Sequence, residues 1–321
     1  MARSTHRFHD RLPIKFFAAA NSACSVRHQA HTRSAICNSH SLAGVEALSA
    51  MKITQPVVVL ILLLAVQGAA AQWQRLTTGY AGNLEDVYFT HIDTGYAVGG
   101  STILKTTNGG LTWTSQSVPP THTLNAIFFP SSNVGFAVGD VVYRTVDAGA
   151  TWDSVHVADE QWKAPEFRSL FFFSDSVGIV VGDAFRSTTD QGDTWIDGPY
   201  DFVMPGASTV IDFIGNGVGF LGGWTGTTIG MFGIVAKTTD LGKTWTQSLG
   251  MEDKSRGLRI SSIEFVTPSV GWVVGSRESG NPPYSRTRIL HTSDGGATWE
   301  TINTVFARTL NTIEFTSDQI G

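Results

Sequence analysis

The sequence predicts an all-β chain folded as a β-propeller of four-stranded blades, on three observations. A Thr-x-Asp/Asn-x-Gly-x-Thr-Trp box occurs five times, closing at Trp113, Trp152, Trp195, Trp245 and Trp299. Successive box tryptophans are separated by roughly 40 to 55 residues, about the length of one four-stranded blade. With 34 Gly, 9 Trp and only 15% charged residues, the composition suits short strands joined by tight turns and predicts little helix.

Residues 1–50 hold both cysteines, Cys24 and Cys37, and five of the nine histidines, without a strand or helix period. This stretch reads as a disordered or non-native extension ahead of a true start at Met51, although its six Lys/Arg against two acids also fit an organelle transit peptide. Residues 51–71 have the layout of a signal peptide: Lys52, an apolar run over 57–66, and Ala69-Ala70-Ala71 before Gln72. That run is about half of the ~20 residues a bilayer-spanning helix needs, so no stable membrane span is expected and the protein should be secreted or periplasmic. The remaining 72–321 carry 15 Lys/Arg against 25 Asp/Glu and no cysteine. Such acidity weighs against nucleic acid or an anionic membrane as partner. Without disulfides, the domain must hold itself by its core and strand pairing.

Within each unit an apolar strand A ends in an aromatic, over 84–89, 124–129, 169–172, 209–213, 260–265 and 310–315. A turn leads to strand B, which runs from one glycine to another at 95–99, 135–139, 178–182, 219–223 and 271–275. Strand C leads into the box, and the box Trp opens strand D. The closing glycine of strand B follows the strand A aromatic at one fixed interval in every unit, as Phe89 to Gly99, Phe129 to Gly139, Phe172 to Gly182, Phe213 to Gly223 and Phe265 to Gly275. The box never changes length either. From that glycine to the box Trp the chain is short in the first three units, as Gly99 to Trp113, and much longer in the last two, Gly223 to Trp245 and Gly275 to Trp299. From the Trp to the next strand A aromatic it varies again, Trp113 to Phe129 being shorter than Trp152 to Phe172. All length variation therefore lies in the B–C and D–A connections, which emerge on one face of an up-and-down blade. Trp73 precedes Phe89 by the same interval as Trp113 precedes Phe129, which marks an orphan strand D, and 311–321 begin a sixth unit that stops at the glycine opening its strand B. The propeller, 72–321, thus reads as C-terminally truncated, with five units and part of a sixth.

The box residues Asn108, Trp113, Asp147, Trp152, Asp190, Trp195, Asp240, Trp245, Asp294 and Trp299 are read as structural. A short acid or amide accepts backbone N–H bonds in its turn, the glycine two positions on takes positive φ, and the Trp covers the hairpin. Five near-identical copies cannot share one active site, and Asn108 would spoil a catalytic acid. No catalytic set, metal site or cofactor is expected. Lys105, Arg144, Lys237 and His291, with Arg186 one residue out of step, form a basic series on strand C whose stems are expected to cover apolar surface.

The run Gly95-Tyr96-Ala97-Val98-Gly99 followed by 103–113 resembles the BNR or Asp-box propellers, in particular the photosystem II assembly/stability factor-like family. The resemblance covers 73–321 and implies seven blades and a protein-binding scaffold rather than an enzyme. Box-bearing relatives also include sialidases and xyloglucan-degrading hydrolases, so a glycoside hydrolase is the alternative. The sialidase Arg-Ile-Pro signature is missing; Arg259-Ile260-Ser261 is the nearest approach. Tyr200 and Tyr284 are the tyrosines in variable-face loops, and Asp140 and Asp183, equivalent residues after strand B, are the carboxylates placed to flank a bond.

The variable face carries the remaining signal. Insertions at 223–234 and 276–288 bring Trp224, Phe232 and Tyr284 near Arg256, Arg259, Arg277, Arg286 and Arg288 on an otherwise acidic domain. Arginine and aromatic residues favour protein-binding hot spots, so the expected partner is a protein, an acidic one fitting best, with an anionic glycan as the other candidate.

Overall fold

The computed structural model describes residues 25–26, 76–119, 122–155, 157, 165–198, 207–227, 230–251, 255–277, 286–302 and 310–315. The expected signal peptide, the orphan Trp73, Tyr200, Tyr284 and the unit beyond residue 315 lie outside them. The described chain is all-β, and none of it is a helix long and apolar enough to cross a membrane.

Five antiparallel four-stranded sheets follow in chain order, each with its strands in the sequence order A to D. Blade 1 runs Asp86–Phe89, Gly95–Gly99, Thr102–Thr106 and Thr114–Ser115; blade 2 runs Leu124–Phe128, Gly135–Gly139, Val142–Thr145 and Asp153–Val155. Blade 3 is Phe167–Phe172, Gly178–Gly182, Phe185–Thr188 and Ile196–Asp197. Blades 4 and 5 have longer inner strands: Ala207–Gly215, Val218–Thr227, Gly230–Thr238 and Thr246–Leu249, then Leu258–Phe265, Gly271–Arg277, Arg286–Thr292 and Glu300–Ile302. Ser25–Val26 pair in parallel with Asp86 and Val87, in a stretch where the sequence predicts no strand.

The two glycines of strand B answer to sterics. A Cβ on the opening glycine would lie 2.3–2.6 Å from the strand A aromatic of the same blade, at Gly95 on Phe89, Gly135 on Phe129 and Gly178 on Phe172. On the closing glycine it would strike the backbone carbonyl where strand A begins, at Gly139 on Thr123 and Gly182 on Glu166. The fixed interval from aromatic to closing glycine is therefore set by two close approaches.

Burial is concentrated between blades. The strand B aromatic stacks on the next blade's strand A aromatic: Tyr96 on Phe129 at 4.1 Å, Phe136 on Phe172 at 3.9 Å, Phe220 on Phe265 at 3.6 Å and Trp272 on Phe315 at 3.8 Å. The box Trp meets that second ring edge-on, as Trp152 does Phe129 and Trp299 does Phe265. Each such pair adds about 0.5–1.5 kcal/mol beyond the area it buries. Nearer the axis, a strand A bulge turns a polar side chain to the next blade: Asn125 Nδ2 donates to Phe167 O, and Ser261 Oγ to Leu310 O.

The box's fourth residue joins these parts. Its N–H donates to the A–B turn of its own blade in all five units: Gly109 to Asp93 O, Ala148 to Asn133 O, Gln191 to Ser176 O, Leu241 to Gly217 O and Gly295 to Ser269 O. Its carbonyl receives the preceding blade's strand C cation: Lys105 Nζ on Ala148 O at 2.7 Å, Arg144 Nη1 on Gln191 O at 2.8 Å and Lys237 Nζ on Gly295 O at 2.7 Å. Lys105 and Lys237 also lie 5.6 Å over Tyr96 and Phe220. To face both ways the residue takes positive φ even where it is Ala148, Gln191 or Leu241, at 56°, 64° and 63°. Lys105, Arg144 and Lys237 of the basic series thus do more than cover apolar surface; their charges bond the neighbouring blade.

Between blades 3 and 4 the pattern lapses. Ile179 stands where the other strands B have an aromatic, and Ser187 where Lys105, Arg144 and Lys237 stand. Arg186 turns instead to Asp197 of its own blade, and the bulge residue Arg168 to Glu166 and Asp183. Ser169 Oγ accepting Ile211 N–H and a Phe171, Phe173 and Phe213 cluster hold this seam.

The hairpin of each box is closed by its acid. In box 2, Thr145 Oγ1 donates to Asp147 Oδ1, Thr151 N donates to the same oxygen, and Thr151 Oγ1 donates to Oδ2. In box 1 the last bond reverses, Asn108 Nδ2 donating to Thr112 Oγ1, because a hydroxyl can serve either role. The Thr151 bonds, then the Thr145 bond, lower the Asp147 carboxyl from 3.8 to about 2, and Asp190, Asp240 and Asp294 are likewise held at about 2.

Urea unfolding reads both the cation and the acid. Lys105→Met, which leaves the Ala148 carbonyl without its charged donor, should cost about 1–2 kcal/mol, and Ser187→Lys, which supplies the absent cation at the third seam, should add about 1 kcal/mol. Because the four box carboxyls have folded pKa values below their unfolded ones, their stabilisation is complete above about pH 4 and is lost as pH falls toward 2. Asp147→Asn should be close to neutral at pH 7 and should make that acid loss shallower; an unchanged acid profile would contradict the assignment.

Candidate functional site

Bonds between each box and its A–B turn place those two connections together on one face. The B–C and D–A connections meet on the other: Leu124 N donates to Gly100 O, Asp140 N to Thr123 O and Asp183 N to Glu166 O. The variable face read from the sequence is therefore a physical face.

On it, the 223–234 insertion is mainly ordered strand. Strands B and C of blade 4 stay in register from Gly219↔Thr238, past Gly223, out to Thr227↔Gly230, an overhang of about 13 Å at the usual rise per residue. This hairpin is tied to the segment entering blade 5. Gly233 N donates to Ser255 O at 2.9 Å, Gly257 N to Met231 O at 2.6 Å, and Phe232 bridges Arg256. Ser255 is fully buried and donates its hydroxyl to Gly250 O.

The fold brings Trp224 and Arg259 together here, with Arg256 at the tip of the same hairpin. The Arg259 guanidinium lies 4.9 Å over the Trp224 ring, a planar cation on an aromatic face, and Arg256 is exposed beside Gly230. Across blade 5 the register pairs Arg259 with Ser276, Arg277 with Arg286, and Arg288 with Gly275, so Arg259 stands in a row between those of the other three. Phe232 departs from expectation. It is 4% exposed, so it is packing beneath the surface rather than a contact on it. Strand alternation explains this, since Trp224 and Phe232 sit at successive paired rows and face opposite ways. Tyr284 lies outside the described residues.

The two candidate carboxylates serve the loops. Asp140 Oδ1 accepts Thr123 N–H at 2.9 Å and lies 3.3 Å from His122 Nδ1; Asp183 Oδ1 accepts Arg168 at 2.7 Å. Each fastens its blade's B–C turn to the start of strand A. Among the described residues, no group of three or more His, Cys, Asp or Glu could hold a metal.

Sequence patterns point to no role for the other face, yet the described residues enclose a cleft of about 410 Å³ there. It is lined by Tyr88, Phe128, Phe171 and Phe213 from blades 1 to 4 and by the A–B turns that follow them.

Residues 113–249 match the family described as photosynthesis system II assembly factor YCF48. Among solved structures, YCF48 from Cyanidioschyzon merolae superposes with a TM-score of 0.54 at 15% identity, covering 78% of this chain and 81% of that one. The GH74 enzyme of Niastella koreensis gives 0.52 at 16% identity over 68% of this chain and 38% of that one. A YCF48 described as bound to D1 peptide aligns at 17% identity over 71% of this chain and 82% of that one, with a TM-score of 0.40. No curated protein sequence matches. At these identities the structures speak to the fold alone, whereas the family match falls on the boxes from Trp113 to Trp245 and the strands between them. The chain is an Asp-box β-propeller whose residues 113–249 match the photosystem II assembly-factor family.

Proposed function

We propose that this protein is an exported, non-catalytic scaffold that binds a protein partner through the face bearing its B–C and D–A connections. The observation that carries the reading is the blade 4 hairpin, which projects past the blade body and is bonded to the entry of blade 5, with Arg259 stacked on Trp224 and Arg256 exposed beside it. A guanidinium held on an aromatic ring loses little freedom on binding, and its planar charge suits a carboxylate. An acidic segment of the partner fits this surface, and the assembly-factor match supports a role in bringing proteins together rather than in turnover. Asp140 and Asp183 each fasten a loop at the start of strand A, which supports a structural role for both. Export rests on the Lys52, 57–66 and Ala69-Ala70-Ala71 layout.

The test is binding of the intact protein to an array of short acidic peptides at two salt concentrations. Arg256→Glu with Arg277→Glu should weaken capture at least tenfold and flatten its salt dependence, while Phe232→Ala should act on folding, at a cost of about 3 kcal/mol. Capture unchanged by the double reversal would remove the basic surface from the account. Preferential capture of sulfated glycans would replace the protein partner with a glycan.

A further inference from the structure

The axial cleft lies on the opposite face and owes nothing to the reading above. Two departures from the repeat converge on it. The residue after the strand A aromatic is Thr90, Pro130, Ile214 or Val266 in four blades, but Phe173 in blade 3. The fourth box residue is Gly109, Ala148, Gln191 or Gly295 in four blades, but Leu241 in blade 4. Phe173 is only partly buried and Leu241 is 47% exposed, so each leaves apolar surface in water. Both line the same cleft, at the seam that lacks the strand C cation.

Among the described residues the lining is neutral: it contains no Asp, Glu, Lys, Arg or His, and its tyrosine, Tyr88, gives its hydroxyl to Phe129 O at 2.9 Å. A charged occupant would lose its hydration there without a partner. Around the mouth, Thr90, Ser131, Ser132 and Asn216 bring hydroxyls and a carboxamide, which can both donate and accept. The Asn216-Gly217 turn holds this rim with φ of 52° and 80°. An apolar floor inside a ring of mixed donors and acceptors matches one aromatic side chain flanked by its own main chain, whose N–H and C=O groups alternate.

We propose that this cleft is a binding site for an uncharged aromatic side chain presented by an extended segment of a partner polypeptide, with Phe173 and Leu241 as its specificity-determining residues. The test is saturation-transfer NMR on the intact protein with three probes: acetyl-Ser-Phe-Ser-amide, acetyl-Ser-Asp-Ser-amide and p-cresol. The Phe peptide should bind, with its ring protons saturated most, and the Asp peptide should not. Phe173→Thr and Leu241→Gly each place at its position a residue that another blade carries there. Each should weaken the Phe peptide at least tenfold; Leu241→Gly should do so with the urea midpoint held, whereas Phe173→Thr, which also removes a ring from the third seam, should lower that midpoint. Absence of saturation of the Phe peptide, equal binding by both restored variants, or binding of p-cresol without the peptide would each overturn the proposal.

Discussion

The way one blade is set on the next depends chiefly on one residue, the fourth of the box. Its amide is bound by the A–B turn of its own blade, and in three of the four described junctions its carbonyl takes a cation from the blade before. A residue bonded along two directions must turn its backbone into the left-handed region, which is unfavourable for Ala148, Gln191 and Leu241. The surrounding bonds of the box acid and its threonines hold it there. Neither the box nor the A–B turn can therefore change length without moving the next blade. The B–C and D–A connections are under no such constraint, and the chain differs from blade to blade there.

The junctions are not alike. Blades 1 to 3 share one continuous apolar cluster, and blades 4 and 5 another, while a third, made of Phe171, Ile179, Phe213 and their neighbours, joins blade 3 to blade 4. Aromatic crowding between Phe171, Phe173 and Phe213 takes the place of the ring stack and the charged bond. Apolar contact is less directional than a cation on a carbonyl, so this seam is the one that can adjust without breaking a charged bond. The cleft opens beside it.

Much of this is legible in the sequence. The boxes, the glycine pairs and the constant interval from aromatic to closing glycine identify blades, strand order and the two faces, because those features are local and repeated. Contacts between blades are harder to see, since Tyr96 with Phe129 or Lys105 with Ala148 join residues far apart in the chain, and a repeat pattern shows that positions recur without showing what they touch. The strand C cations, taken from sequence alone, look like stems on a strand edge. On the variable face, residue type is enough to find Trp224, Arg256 and Arg259, whereas Phe232 looks equivalent to Trp224 until strand pairing turns it inward. The cleft has no motif of its own because Phe173 and Leu241 are ordinary residues for a core, and only comparison of equivalent positions across blades makes them exceptional.

Native-state hydrogen exchange at the fourth box residues tests the central claim most directly, because each amide reports one junction. If the bonds across the blades hold the arc together, the amides of Ala148, Gln191 and Gly295 exchange only in global unfolding, and Leu241, whose junction has Ser187 in place of a cation, exchanges earlier through local opening. Equal protection at all four, or faster exchange at Ala148 than at Leu241, would contradict it.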